Sequence, residues 1–237
     1  IQNLETRFYT QDGVVQAVNG ISYDLGEGET LGIVGESGCG KSVTAHAIMR
    51  LVKTPPGRFF GKIEFGGRNL LEVSQSEMRK IRGSRISMIF QDPMSSLNPT
   101  MKIGKQIAET VKVHQHASND EAMQKAIALL EKTKIPEAAK RAQQYPFEFS
   151  GGMLQRAIIA MSLACDPTLL VADERTTALD VTIQSQTLEI MHDLQQKMGM
   201  SIILITHDLG VIAHMAHDVA VMYARQIIEA GPVDDIF

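Results

Sequence analysis

The chain has 237 residues, of which 44% are apolar, with a formal net charge of −4. That supports a sizeable core, and it argues against a protein that coats nucleic acid, where a strong basic bias is the rule. Its two cysteines, Cys39 and Cys165, make neither a disulfide framework nor a metal cluster and fit a reducing compartment.

From the N-terminus, residues 2–9 and 17–25 read as strands around a turn at Gln11-Asp-Gly13. Glu29-Thr-Leu-Gly-Ile-Val34 is a short buried strand that runs into a glycine-rich turn. From Ser42 onward Val43, Ala47, Ile48 and Leu51 have helical spacing, and Pro55-Pro-Gly57 ends the helix. Residues 62–65 and 85–90 read as further strands. Residues 91–155 read as helices and loops, with a clear stripe at Met123, Ala126, Ile127 and Leu130 and a break at Tyr145-Pro146. Strand patterns resume at 169–172 and 201–205, separated by a helix over 183–197. Apolar strands alternating with helices predict a parallel sheet covered on both faces. No stretch approaches the roughly 18–20 apolar residues of a membrane helix, and none of the given residues reads as a signal peptide. A first residue Ile1 and a plain end at Phe237 read as a segment of a longer protein.

Gly35-Glu-Ser-Gly-Cys-Gly-Lys-Ser42 matches G-x-x-x-x-G-K-[ST] between a strand and a helix. Glycines let successive backbone N–H groups turn inward around a phosphate, and the helix N-terminus adds a partial positive charge. Lys41 is then expected at the β- and γ-phosphates and the Ser42 hydroxyl on Mg²⁺. The glycines run G-x-x-G-x-G, a poor match to the dinucleotide fingerprint. Leu169-Leu-Val-Ala-Asp-Glu174 ends an apolar strand in two carboxylates. Asp173 is the expected Mg²⁺ partner, and Glu174 is expected to orient and polarise the attacking water.

Phe149-Ser-Gly-Gly-Met-Leu-Gln-Arg156 narrows the field. It resembles the signature sequence of ATP-binding cassette (ABC) proteins, in which a serine and two glycines open a helix. Taken alone it is equally an ordinary serine N-cap with a glycine turn. The other family motifs follow in order. Gln91, after Ile86-Ser-Met-Ile-Phe90, resembles the Q-loop glutamine that ligates Mg²⁺ and links to the membrane subunit. Ala178-Leu-Asp180 is similar to the D-loop, and His207 resembles the switch histidine that contacts the γ-phosphate. Phe8 or Tyr9 matches the placement of the aromatic residue that stacks on adenine. Within the superfamily, Phe90-Gln-Asp-Pro-Met-Ser-Ser-Leu-Asn-Pro99 and Tyr145-Pro-Phe-Glu-Phe-Ser-Gly-Gly-Met-Leu-Gln-Arg156 resemble the ATP-binding subunits of dipeptide, oligopeptide and nickel importers.

This resemblance implies an α/β fold: a P-loop NTPase (RecA-like) core with an N-terminal antiparallel β subdomain and an inserted α-helical subdomain. The core is expected over residues 1–90 and 161–237 and the helical subdomain over 91–160, with the family's C-terminal extension absent. It implies an ATPase using ATP and Mg²⁺ at the cytoplasmic face of a membrane. Expected partners are a second ATP-binding subunit, identical or related, two permease subunits and, indirectly, an extracytoplasmic solute-binding protein; nucleic acid is not expected. Gly35, Glu36, Ser37, Gly38, Cys39, Gly40, Lys41 and Ser42 would hold one nucleotide. Ser150, Gly151, Gly152, Gln155 and Asp180 would serve the partner's. The rivals are a non-transport ABC ATPase, a P-loop kinase that leaves the signature unexplained, and a cassette that binds ATP with impaired hydrolysis.

Two residues depart from the family pattern. Arg175 stands where proline normally follows the catalytic glutamate; losing a residue that fixes φ is expected to loosen the turn and slow hydrolysis. Arg225 stands where related sequences commonly have glycine, and a surface turn is expected there.

Overall fold

The computed structural model describes residues 1–90, 96–173 and 181–237, with side chains from 186 onward in the last stretch. The chain separates into two compact units, residues 1–79 with 201–237, and residues 80–200.

The first unit opens with the antiparallel strands β1 (Gln2–Thr10) and β2 (Gly13–Ile21). The hairpin turns where the sequence implied, but β2 starts at Gly13, earlier than the apolar residues suggested. Then come β3 (Thr30–Gly35), α1 (Lys41–Ile48), β4 (Gly57–Lys62), a two-residue hairpin β5 (Glu64–Phe65) and β6 (Arg68–Asn69), and α2 (Gln75–Ile81). β4 pairs with β1 and completes a three-stranded antiparallel sheet in the order β2-β1-β4. The strand expected over 62–65 therefore lies earlier, because residues 57–62 find a partner in β1 that local patterning does not reveal.

The second unit holds β7 (Ile86–Ile89), α3 (Ile103–Gln115), α4 (Asn119–Lys132), α5 (Ala138–Arg141), a 3-10 turn at Pro146–Glu148, α6 (Gly151–Ser162), β8 (Leu169–Asp173) and α7 (Val181–Met198). β7 and β8 pair in parallel, Ile86 opposite Leu169 through Ile89 opposite Ala172. All four residues of β7 and all five of β8 are buried, as continuous apolar strands of a covered parallel sheet must be. α4 buries Ala122, Ala126, Leu129 and Leu130. The expected stripe is present but turned, so that Met123 and Ile127 flank the buried face.

The chain returns to the first unit as β9 (Ser201–Ile205), α8 (Leu209–Met215), β10 (Asp218–Tyr223), β11 (Gln226–Pro232) and α9 (Val233–Ile236). β3 lies between β10 and β9, parallel to both, and β11 pairs antiparallel with β10. Ile33 sits opposite Ala220 on one side and Ile205 on the other, and is 1% exposed. The fold is thus the α/β class expected, with an antiparallel β portion and a helical portion between the core strands. Among the described residues no helix is long and apolar enough to cross a membrane.

Candidate functional site

β3 delivers the chain into a tight turn at Gly35, and α1 begins at Lys41, so the phosphate-loop sequence occupies the strand-to-helix turn it requires. Two glycines are forced by close packing. A Cβ on Gly35 would stand 2.1 Å from the Met222 carbonyl oxygen of β10, and one on Gly40 would stand 2.5 Å from that of Ala17 in β2. Both also sit at positive φ, +148° and +104°. Neither carbonyl is legible from the loop's own sequence. Gly38, exposed at φ +82°, has nothing within 4 Å of its Cβ position, so its outer side is open.

Lys41 Nζ donates to the carbonyl oxygens of Gly35 at 2.6 Å and Glu36 at 2.8 Å and reaches Cys39 Sγ at 3.6 Å. Its ammonium is therefore held at the loop. No side chain caps α1, whose N-cap is Gly40. A phosphate group fits such a cradle: a glycine turn whose outer side is open at Gly38, a helix N-terminus and a tethered cation. Cys39 is buried, Glu36 and Ser37 are exposed, and Ser42 is half-buried in the first turn of α1.

His207 follows β9, the strand beside β3. With Ile33 opposite Ile205, the two strands release the phosphate loop and His207 at the same carboxyl edge, the ligand side of a parallel sheet. Thr206 and Asp208 flank the histidine and tie down the chain on either side of it. The Asp208 N–H donates to Thr206 Oγ1 at 3.1 Å, and the Asp208 carboxylate caps α8 by accepting from the N–H groups of Gly210 and Val211. His207 itself is exposed. Thr206 and Asp208 escaped the sequence reading; the Asp208 N-cap before an apolar run was the available signal.

Phe8 and Tyr9 both lie on β1. Phe8 is half-buried opposite Val15 and Gly57, whereas Tyr9 is 40% exposed with the Arg58 guanidinium 4.9 Å from its ring centroid.

In the second unit Asp173 ends β8 and is 5% exposed. Gln91, Glu174 and Asp180 lie outside the described residues. Among the described residues no three His, Cys, Asp or Glu side chains gather as a metal cluster. Mg²⁺ needs none, since it binds through one or two protein oxygens, waters and substrate phosphates; the Ser42 hydroxyl and the Asp173 carboxylate are donors of that kind. Ser150 is the N-cap of α6, its Oγ accepting from the Met153 N–H at 3.4 Å. Ser150 and Gly151 are exposed while Gly152 is buried at this helix N-terminus, the kind of end that favours an anion. Gln155 is turned inward: 7% exposed, its Oε1 accepts from Thr187 of α7. A cavity of about 540 Å³ opens beside Phe90, lined also by Ser87, Met88, Thr110, Ile158 and Met161.

The sequence profile described as ABC transporter matches residues 18–177. The oligopeptide transport ATP-binding protein OppD of Bacillus subtilis is 58% identical over 238 residues, covering 100% of this chain and 66% of that relative. The dipeptide transport ATP-binding protein DppD of Lactococcus lactis is 52% identical, with 100% of this chain and 68% of the relative covered. The chain thus spans about two thirds of the length of these relatives. A solved dimeric ATP-binding cassette, bound to ADP and Pi in a post-hydrolysis state, is similar in fold with a TM-score of 0.85 at 23% identity, over 98% of this chain and 97% of that one.

Proposed function

Because this chain belongs to the ABC transporter family, we propose that it is the ATP-binding and ATP-hydrolysing part of an importer for peptides, nickel or a related small solute. The observation that carries the reading is the phosphate loop: Lys41 tethered to the Gly35 and Glu36 carbonyls, ahead of an uncapped helix. The names of the similar proteins, oligopeptide and dipeptide transport ATP-binding proteins, support the cargo class.

In this proposal the loop amides and Lys41 stabilise charge on the β- and γ-phosphates of ATP. Ser42, Gln91 and Asp173 would hold Mg²⁺, which when bound neutralises charge on the same phosphates. Glu174 orients and polarises the attacking water, and His207 supports the γ-phosphate. Phe8 or Tyr9 stacks on the adenine. Ser150, Gly151, Gly152 and Asp180 serve the nucleotide of a second ATP-binding subunit, and the permease subunits dock by Phe90 and Gln91. The working place is the cytoplasmic face of the membrane, with a solute-binding protein on the other side. Arg175 favours a second reading, a cassette that binds ATP and turns it over slowly.

The test is ATPase activity of the full-length protein with its permeases, alongside Lys41→Ala. Wild-type turnover that falls by about 100-fold or more in the variant is expected. A wild-type protein without ATPase activity, or a variant with full activity, refutes the proposal.

A further inference from the structure

α6 and α7 pack against each other, and both carry buried apolar side chains, among them Leu154 and Ile158 on α6 and Leu188 and Met191 on α7. Two consecutive polar residues on each helix join the two, one pair buried and the other at the surface. Thr187 Oγ1 donates to Gln155 Oε1 at 3.2 Å, with Thr187 fully buried and Gln155 7% exposed. Arg156 Nη2 donates to Gln186 Oε1 at 2.8 Å, and its Nη1 donates to the Lys134 carbonyl at 3.1 Å, in the turn that follows α4. Lys134 Nζ in turn lies 3.8 Å from Asp193 on α7.

An apolar pair at positions 155 and 187 would pack at least as well, since buried polar pairs seldom stabilise more than hydrophobic residues of equal volume. Apolar contacts, however, are non-directional and let a helix roll or slide on its neighbour. Directional bonds at two successive positions fix both rotation and register. They also sit at matching places: each pair lies at the fifth to seventh position of its helix, about 6–9 Å along the axis from the first helical residue. One of those first turns carries Ser150 and the two glycines. The other is entered directly from Ala178-Leu-Asp180.

We propose that Gln155 and Arg156, acting through Thr187 and Gln186, are positioning residues for ATP turnover. They lock α6 onto α7, so that Ser150–Gly152 keeps a set place relative to the first turn of α7. Gln155 thereby works inside the protein rather than on a nucleotide. This rests on the function proposed above.

The test uses the full-length protein with its permeases and compares Thr187→Ser, Thr187→Val and the double variant Gln155→Met with Thr187→Val. Turnover, KM for ATP and melting temperature are measured for each. Thr187→Ser keeps the hydroxyl and is expected to stay within about twofold of wild type. The double variant is expected to melt at or above wild type, yet to turn over ATP roughly tenfold more slowly with KM unchanged. Unchanged turnover in the double variant overturns the role. So does a loss of turnover that merely follows a lower melting temperature, which marks a structural contact. A raised KM with turnover kept assigns Gln155 to the nucleotide and also overturns it. A wild-type protein that hydrolyses no ATP removes the proposed function and this role together; an active wild type beside an equally active double variant removes only the role.

Discussion

Arg225 carries a strain that the sequence hinted at and the structure locates. It sits in the turn joining β10 to β11 at φ 73°, after Ala224 at φ 46°, and its carbonyl accepts from the Asn19 N–H at 2.9 Å. A side chain in left-handed backbone costs about 1–2 kcal/mol, whereas glycine adopts it freely. Arg225→Gly is therefore expected to stabilise the protein by about 1 kcal/mol, read as a raised melting temperature. Arg175 poses the opposite question, about rate. It lies outside the described residues, so the expectation rests on chemistry alone: restoring proline stiffens the turn after Glu174. Arg175→Pro is expected to raise ATP turnover by about tenfold, or 1.4 kcal/mol in barrier, with ATP affinity unchanged. Equal rates in single-turnover assays would sink that idea.

Elements hold their places here through ends and close approaches. α4 begins with a capping box: Ser118 Oγ accepts from the Glu121 N–H, and the Glu121 carboxylate accepts from the N–H and Oγ of Ser118. Removing the cap by Ser118→Ala is expected to cost about 1 kcal/mol in denaturant unfolding. The same bonds hold the Glu121 carboxyl below its ordinary 4.5. A depressed pKa contributes stability that is present above the unfolded value and is lost as pH falls through the folded one. The destabilisation by Ser118→Ala should thus shrink as pH drops below 4.5. α8 depends on Gly32 of β3, where a Cβ would stand 2.6 Å from Cδ1 and 2.8 Å from Cγ2 of the buried Ile212. Gly32→Ala is expected to destabilise by about 1–3 kcal/mol. Adding Ile212→Ala should make the pair less than additive, because the second change clears the clash made by the first.

At the scale of the whole molecule, a ligand that binds only the folded state raises its stability by mass action. ATP at 100 times its Kd is expected to add about 2.7 kcal/mol, read as a higher melting temperature, and Lys41→Ala should abolish the shift. An equal shift in both proteins would place the nucleotide away from the loop. Family membership was legible because its motifs are short, contiguous and ordered along the chain. Gly35–Ser42 must turn from strand to helix, and the glycine positions alone encode that. Asp173 at the end of β8 and Ser150 at the start of α6 were legible for the same reason, each being a strand or helix end marked in its own sequence.

Local sequence alone determined the α/β class, the phosphate loop, the serine that opens α6 and the buried strands, because each depends on periodicity or on residues within one turn. Tertiary structure decided what those patterns meet. β4 took residues 57–62 because β1 offered its edge, and β10 and β11 formed without having been expected at all. Gly35 and Gly40 are fixed by carbonyls at Met222 and Ala17, far away in sequence. Gln155, expected on a nucleotide, faces Thr187 in the structure, 32 residues along the chain. Each of these rests on a partner brought near only by folding, and pairings between distant residues leave no periodic trace in either segment.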